Sequence, residues 1–253
     1  MAIDQHRASL VPAGTVAGQF PPTRWTRVVR ANGDGVEAER ALNELCELYW
    51  YPLYVFARRQ GQSAEDAQDL TQGFFADLLR SGSLERANRE KGRLRSFLLG
   101  AMKNYMAYEH RKATTQKRGA GVVPISIDAE AAERRFAHEP SHESSPDRDF
   151  DRRWALAILE RVVGRLQEDY ARKDMGELFG ELAPLLAGQV AADYAGVAGR
   201  LGMNAGAVRT ALSRMRRRYR ECLVREVSET VASPDFVDEE LDALISSLRP
   251  GSR

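Results

Sequence analysis

Apolar residues recur at helical spacing along most of the chain. In "ALNELCELYWYPLYVFARRQG", Leu42, Leu45, Leu48, Tyr49 and Leu53 fall three or four residues apart, as on one face of a helix. Pro52 sits inside that pattern and predicts a kink or a division, and Gly61 predicts its end. Ser63 can cap the next helix, whose first turn holds Glu65 and Asp66, where carboxylates meet the positive end of the helix dipole. That helix carries "EDAQDLTQGFFAD", and its Leu70, Phe74 and Leu78 share the face suited to a core. After the loop "RSGSLERANREKG", a third helix is predicted from about Arg93 to Lys112. Helical patterning resumes at "FDRRWALAILERVVGRLQEDYARK" and runs to about Val227, and neither a hairpin signal nor strand–helix alternation is found.

The expected fold is therefore all-α, with two helical domains joined by a flexible linker. Residues 1–22 form a loose leader ending in Pro21-Pro22, and residues 23–118 the first domain. Residues 119–150 mix Gly, Pro, Ser and charge without a sustained period, as a linker does, around the short extended piece "VVPISID". Residues 151–227 form the second domain. Residues 228–253 are an acidic extension in which Asp235, Asp238, Glu239, Glu240 and Asp242 surround Phe236, Val237, Leu241, Leu244 and Ile245, the pattern of a short amphipathic helix.

Composition narrows the classes. The 253 residues are 43% hydrophobic and 29% charged, a globular balance. Lys and Arg number 37 against 36 Asp and Glu, so a net charge of +1 says nothing about nucleic acid and only the distribution can. The two cysteines, Cys46 and Cys222, and four histidines have no ligand spacing. No apolar run approaches a membrane span and the N-terminus lacks a signal-peptide core, so a soluble cytoplasmic protein without a membrane partner is expected.

The most informative stretch is "YAGVAGRLGMNAGAVRTALSRMRRRYRECL". Ala198, Gly202 and Val208 stand where a helix-turn-helix needs a small residue for close approach, a left-handed turn residue and an apolar plug. Asn204 can cap the second helix. Base reading would fall to Asn204, Ala205, Arg209 and Thr210, and phosphate contact to the following arginines, among them Arg214, Arg217 and Arg218. A second basic surface lies in "ERANREKGRLRSFLLGAMKNYMAYEHRKATTQKR", where aromatics are interleaved with cations, as single-stranded nucleic acid requires. Phe97 and Leu98 are expected in the core. For Tyr105 and Tyr108, core and base-stacking roles are equally open.

In this order the segments resemble a bacterial RNA polymerase sigma factor of the extracytoplasmic-function type, which has two helical domains, regions 2 and 4. The resemblance covers Thr23 to Val227. It implies that "AEDAQDLTQGFFADLL" grips the coiled coil of the polymerase β′ subunit, through Asp66, Asp69, Gln72 and Phe75. It implies that "GRLRSFLLGAMKNYMAYEHRK" opens and reads the minus-ten element through Arg95, Lys103, Asn104, Tyr105, Tyr108, Arg111 and Lys112. "VVPISID" resembles the start of the interdomain linker, and the helix-turn-helix resembles region 4, which reads the minus-thirty-five element beside the β flap. The implied partners are core RNA polymerase and promoter DNA, and a serine/threonine kinase or an anti-sigma factor as regulator.

The chain departs from the family pattern at three positions. Gln68 and Gly73 stand where glutamates are usual, and Thr71 where an apolar residue is usual. Losing two charges weakens an electrostatic clamp, and a phosphate on Thr71 would return nearly two negative charges. Together with the wording "DLTQGFFA", which resembles a subgroup associated with serine/threonine kinases, this makes Thr71 a candidate regulatory phosphosite. The connection "EDYARKDMGELFGELAPLLAGQVAA" is longer than usual and keeps an apolar pattern, predicting one or two extra helical turns packed on the second domain.

The alternative reading is a helix-turn-helix regulator with a helical sensor domain, which would bind as a dimer to a palindromic site. For an enzyme, no metal-binding carboxylate cluster, nucleophile–base pair or phosphate-cradling glycine loop is found. Asp66 and Asp69 lie one turn apart without a third ligand. A non-enzymatic protein without cofactor or metal is expected.

Overall fold

The computed structural model describes residues 36–81, 92–115, 129–138, 145–186 and 193–249. The expected leader and the "VVPISID" piece lie outside the described residues. Every described element is helical, apart from one isolated antiparallel bridge between Arg93 and Val231. No described helix is long and apolar enough to cross a membrane. The chain divides into two compact units. One runs to Trp154 and takes in the chain from Ser228 onward, and the other is Ala155–Val227.

The first unit is built on α1, Val36–Arg59. Leu45, Leu48, Tyr49 and Leu53 are buried, as their spacing predicts, and so is every residue from Pro52 to Ala57. A helix apolar on all sides belongs inside a core. Pro52 does not divide it. Gly61, at φ +89°, ends it in the left-handed conformation that costs glycine nothing. Helix α2, Ala64–Arg80, then starts at Ser63, whose Oγ accepts from the Asp66 amide at 3.0 Å. Helix α3, Leu94–Thr115, buries Leu94, Leu98 and Met102, while Phe97 is only half-buried.

The described part of the expected linker is helical. Helix α4, Ala129–Ala137, seats Phe136 against the Arg58 and Arg59 guanidiniums, at 4.7 and 5.1 Å, and edge-on to Tyr54. Glu133 accepts from Arg58 at 2.8 Å and from the Tyr54 hydroxyl. Nine residues are too few to show a period in sequence, and what holds this helix is contact with residues about 75 positions earlier. Helix α5, Pro146–Ala171, gives its first turns to this unit, with Phe150 and Trp154 fully buried and Asp149 paired with Arg59 at 2.9 Å. The expected domain boundary at residue 151 thus falls a few residues early, inside a continuous helix.

The acidic extension is not an appendage, because it closes the first unit. Leu94 N donates to Thr230 O at 3.1 Å and Ala232 N to Gly92 O at 3.0 Å, on either side of the Arg93–Val231 bridge. A short 3-10 turn, Pro234–Phe236, leads into α9, Val237–Leu248, the last described helix, which buries Val237, Leu241 and Leu244. Each such side chain stabilises the fold by about 1.5–3 kcal/mol relative to exposure.

In the second unit the rest of α5 packs with α6, Gly176–Leu182, a 3-10 turn at Ala183–Leu185, α7, Tyr194–Arg200, and α8, Ala205–Ser228. One core joins them: Leu166, Phe179, Leu182, Leu185, Val197, Ala198, Val208, Leu212 and Met215. The long connection thus supplies helical turns that pack on this unit, as its apolar spacing predicts, although Met175 remains exposed.

Candidate functional site

Within the second unit the turn between α7 and α8 is made as its residues require. Asp193 caps α7 through the Gly196 amide at 2.8 Å. Gly202 takes φ +62°, and Asn204 Oδ1 accepts from the Ala207 amide at 2.8 Å at the start of α8. Ala198 and Val208 are buried at the crossing. Because Val208, Leu212 and Met215 face the core, Arg209, Arg214 and Arg217 are turned to the exposed sides of α8. Arg209 lies 5.8 Å from the Tyr194 ring centroid, and the Thr210 hydroxyl donates back to Gly206 O at 3.1 Å. Ala205 is half-buried beside the cap. Exposed cations following a free, capped helix N-terminus form a surface fit for phosphates and base edges.

Arg218 does not belong to that surface. It is held by Asp169 at 2.9 Å and Glu221 at 3.2 Å, and lines a cleft of about 240 Å³ with Arg165, Arg172, Arg225 and Cys222. The Arg218 hydrogen bond, opposed by burial and helped by Arg172, holds the Asp169 carboxyl below its ordinary range. Sequence spacing could not separate Arg218 from Arg217, because the difference lies in a carboxylate 49 residues away.

In the first unit α2 presents Glu65, Asp66, Asp69 and Asp77 to solvent. Asp66 is steadied by the Ser63 hydroxyl, which donates to it at 2.7 Å, and Gln72 is half-buried. Phe75, expected to meet a partner, is instead fully buried and packs edge-on to Phe74. The buried stripe of α2 is Ala67, Thr71, Phe74, Phe75 and Leu78, whereas Leu70 is only half-buried. The helix is thus rotated relative to the Leu70–Phe74–Leu78 face suggested by spacing.

Thr71 occupies the middle of that stripe. It is 0% exposed, and its hydroxyl donates to Ala67 O at 2.7 Å. A phosphate there would point into the core rather than join Asp66 and Asp69, so the expected surface phosphosite is not what this fold offers. Gly73 is buried under the Tyr105 hydroxyl, and a β-carbon there would collide with it. Glycine at this position leaves the space that the tyrosine hydroxyl fills.

On α3, Asn104, Tyr108 and Arg111 share an exposed face at spacings of four and three, with Lys112 beside them. Tyr108 is 56% exposed. Tyr105 is half-buried edge-on to Phe74, ring centroids 6.0 Å apart, and burial with nearby Glu109 and Asp77 pushes its hydroxyl up to about 12. Lys103 is exposed but paired with Asp147. Arg95 departs furthest from expectation. It is 8% exposed, bonded to Glu240 at 2.7 Å and to Asp151, with its guanidinium 4.9 Å from the Trp154 ring centroid. The acidic composition of the extension was the only signal for this arrangement, and nothing local gave its target. Among the described residues no group of side chains is arranged to hold a metal ion.

The chain has no significant match among protein-family models, curated proteins or solved structures.

Proposed function

We propose that this protein is a dissociable, non-enzymatic subunit of RNA polymerase, a sigma factor of the extracytoplasmic-function kind that directs promoter-specific initiation. The observation that carries this reading is the pairing, within the first unit, of an exposed carboxylate ridge on α2 with an exposed face of Asn104, Tyr108 and Arg111 on α3. The first suits a basic protein partner, the second unstacked bases and phosphates. The capped α8 and its arginines suit a major groove in duplex DNA. Protein, single-strand and duplex surfaces on one chain fit transcription initiation.

Run-off transcription on genomic fragments with purified core polymerase tests this. The wild-type chain should direct initiation, and Asp66→Ala with Asp69→Ala should abolish core binding while leaving the fold intact. The helix-turn-helix also fits a conventional regulator. A dimer that occupies a palindrome and neither binds core nor initiates would establish that reading instead. Thr71→Glu should not act as an activating mimic here, because its carboxylate would enter the core. Constitutive initiation by that variant would restore the kinase-switch idea.

A further inference from the structure

The start of α3, on the helix read above as the strand-opening element, is occupied by the chain's own C-terminal segment. Between Thr230 and Arg249 there are five carboxylates and one arginine. The Glu240 carboxylate has no exposed surface. Its Oε1 accepts from Arg95 Nε at 2.7 Å, and its Oε2 lies 3.7 Å from Arg93 Nε. The neighbouring Glu239 pairs with Arg93 as well. Backbone pairing holds the segment to Gly92 and Leu94. The Phe236 ring lies so close over Gly92, itself at φ +65°, that a β-carbon there would meet the ring at 2.7 Å. The two arginines at the start of α3 are thus engaged by carboxylates presented on consecutive residues.

We propose that this segment is an acidic cover competing with single-stranded nucleic acid for the start of α3. This rests on the reading of α3 as a nucleic-acid surface. Phosphates and the Glu239–Glu240 pair call on the same guanidiniums, and only one can hold them. The free chain therefore binds weakly, in proportion to the small fraction of molecules whose cover is open. This places a second role on residues that also complete the core: when α9 lifts, Arg93 loses Glu239 and Glu240, and Arg95 is left with Asp151.

The test uses the full chain and a fluorescent single-stranded oligonucleotide. Glu239→Gln with Glu240→Gln keeps the shape of both side chains and removes the competing charge, and should tighten binding by about tenfold. Asp238→Asn with Asp242→Asn removes an equal number of charges from exposed positions on the same helix and should do much less. In the opposite direction, Arg93 and Val231 form a non-hydrogen-bonded antiparallel pair, close enough for a disulfide. In the variant Arg93→Cys with Val231→Cys, the oxidised form should bind several-fold more weakly than the same protein reduced.

Equal binding by the oxidised and reduced forms, or equal gains from the two charge pairs, overturns the cover. The underlying reading is checked separately with Arg111→Gln and Lys112→Gln. If these weaken binding while opening and stapling change nothing, the cover alone fails. If they have no effect even in the opened protein, α3 is not a nucleic-acid surface and both fall.

Discussion

The two units use arginine in opposite ways. On α8, Arg209, Arg214 and Arg217 stand in solvent. At the start of α3, Arg95 is buried between two carboxylates and an indole. In sequence both sets look like basic, nucleic-acid-facing runs. What separates them is supply of counter-charge: Arg95 receives Asp151 and Glu240 from 56 and 145 residues away, while on the exposed side of α8 Arg217 meets Glu221 of its own helix at 3.7 Å. Cation density in sequence marks where charge is, and the fold decides whether it is spent inside the molecule or kept for a partner.

That contrast can be broken by substitution. The largest effect is expected at Thr71. Thr71→Glu places a carboxylate in a fully buried stripe and should leave the first unit unfolded at room temperature, whereas Thr71→Val should cost only about 1 kcal/mol for the lost hydrogen bond. Urea titration followed by circular dichroism separates the two. Next comes Arg95→Ala, which strands Glu240 and should cost about 3–5 kcal/mol, against less than about 0.5 kcal/mol for Arg214→Ala. Equal costs would mean that the two arginine sets do not differ as described.

The Arg95→Ala deficit should also depend on pH. Burial already raises the Glu240 carboxyl above the ordinary 4.5, against the pull of Arg95 and Arg93 and with Asp151 adding to the rise. The folded state therefore binds this proton more tightly than the unfolded chain, so the contribution is greatest in acid and is lost as pH rises through the folded value. Without Arg95 the loss should be steeper, and unfolding measured from pH 4 to pH 8 would show it.

A smaller effect sharpens the α2–α3 contact. Gly73→Ala should cost about 1–3 kcal/mol by overpacking against Tyr105. Tyr105→Phe removes the colliding oxygen, so the double variant should recover most of that loss in a double-mutant cycle. Smallest is Asn204→Ala, which should cost about 1 kcal/mol through the lost cap, read as a lower melting temperature.

What was legible in the sequence was local. Gly61 and Ser63 marked a stop and a start, and Ala198, Gly202, Asn204 and Val208 placed the helix-turn-helix, because a left-handed turn, a cap and a plug each depend on a few adjacent residues. The rotation of α2 was half legible. Reading Leu70, Phe74 and Leu78 as the buried face missed that Thr71 and Phe75 lie nearer its centre, since a threonine scores as polar even when its hydroxyl is satisfied by the carbonyl four residues back. Illegible were the pairs Arg95–Glu240, Arg58–Glu133 and Arg218–Asp169, which join distant segments without a periodic trace.

Because the first unit is finished by residues from Ser228 onward, its completion follows the whole of the second unit in the order of synthesis. A ribosome must release Ala155–Val227 before Glu240 can reach Arg95, so Leu94 and Arg95 wait with final partners still unmade. Domains usually fold as they emerge, the first before the second. Here the later unit has all its residues first, and a chain cut short near its end would carry an intact helix-turn-helix beside a first unit that never closes.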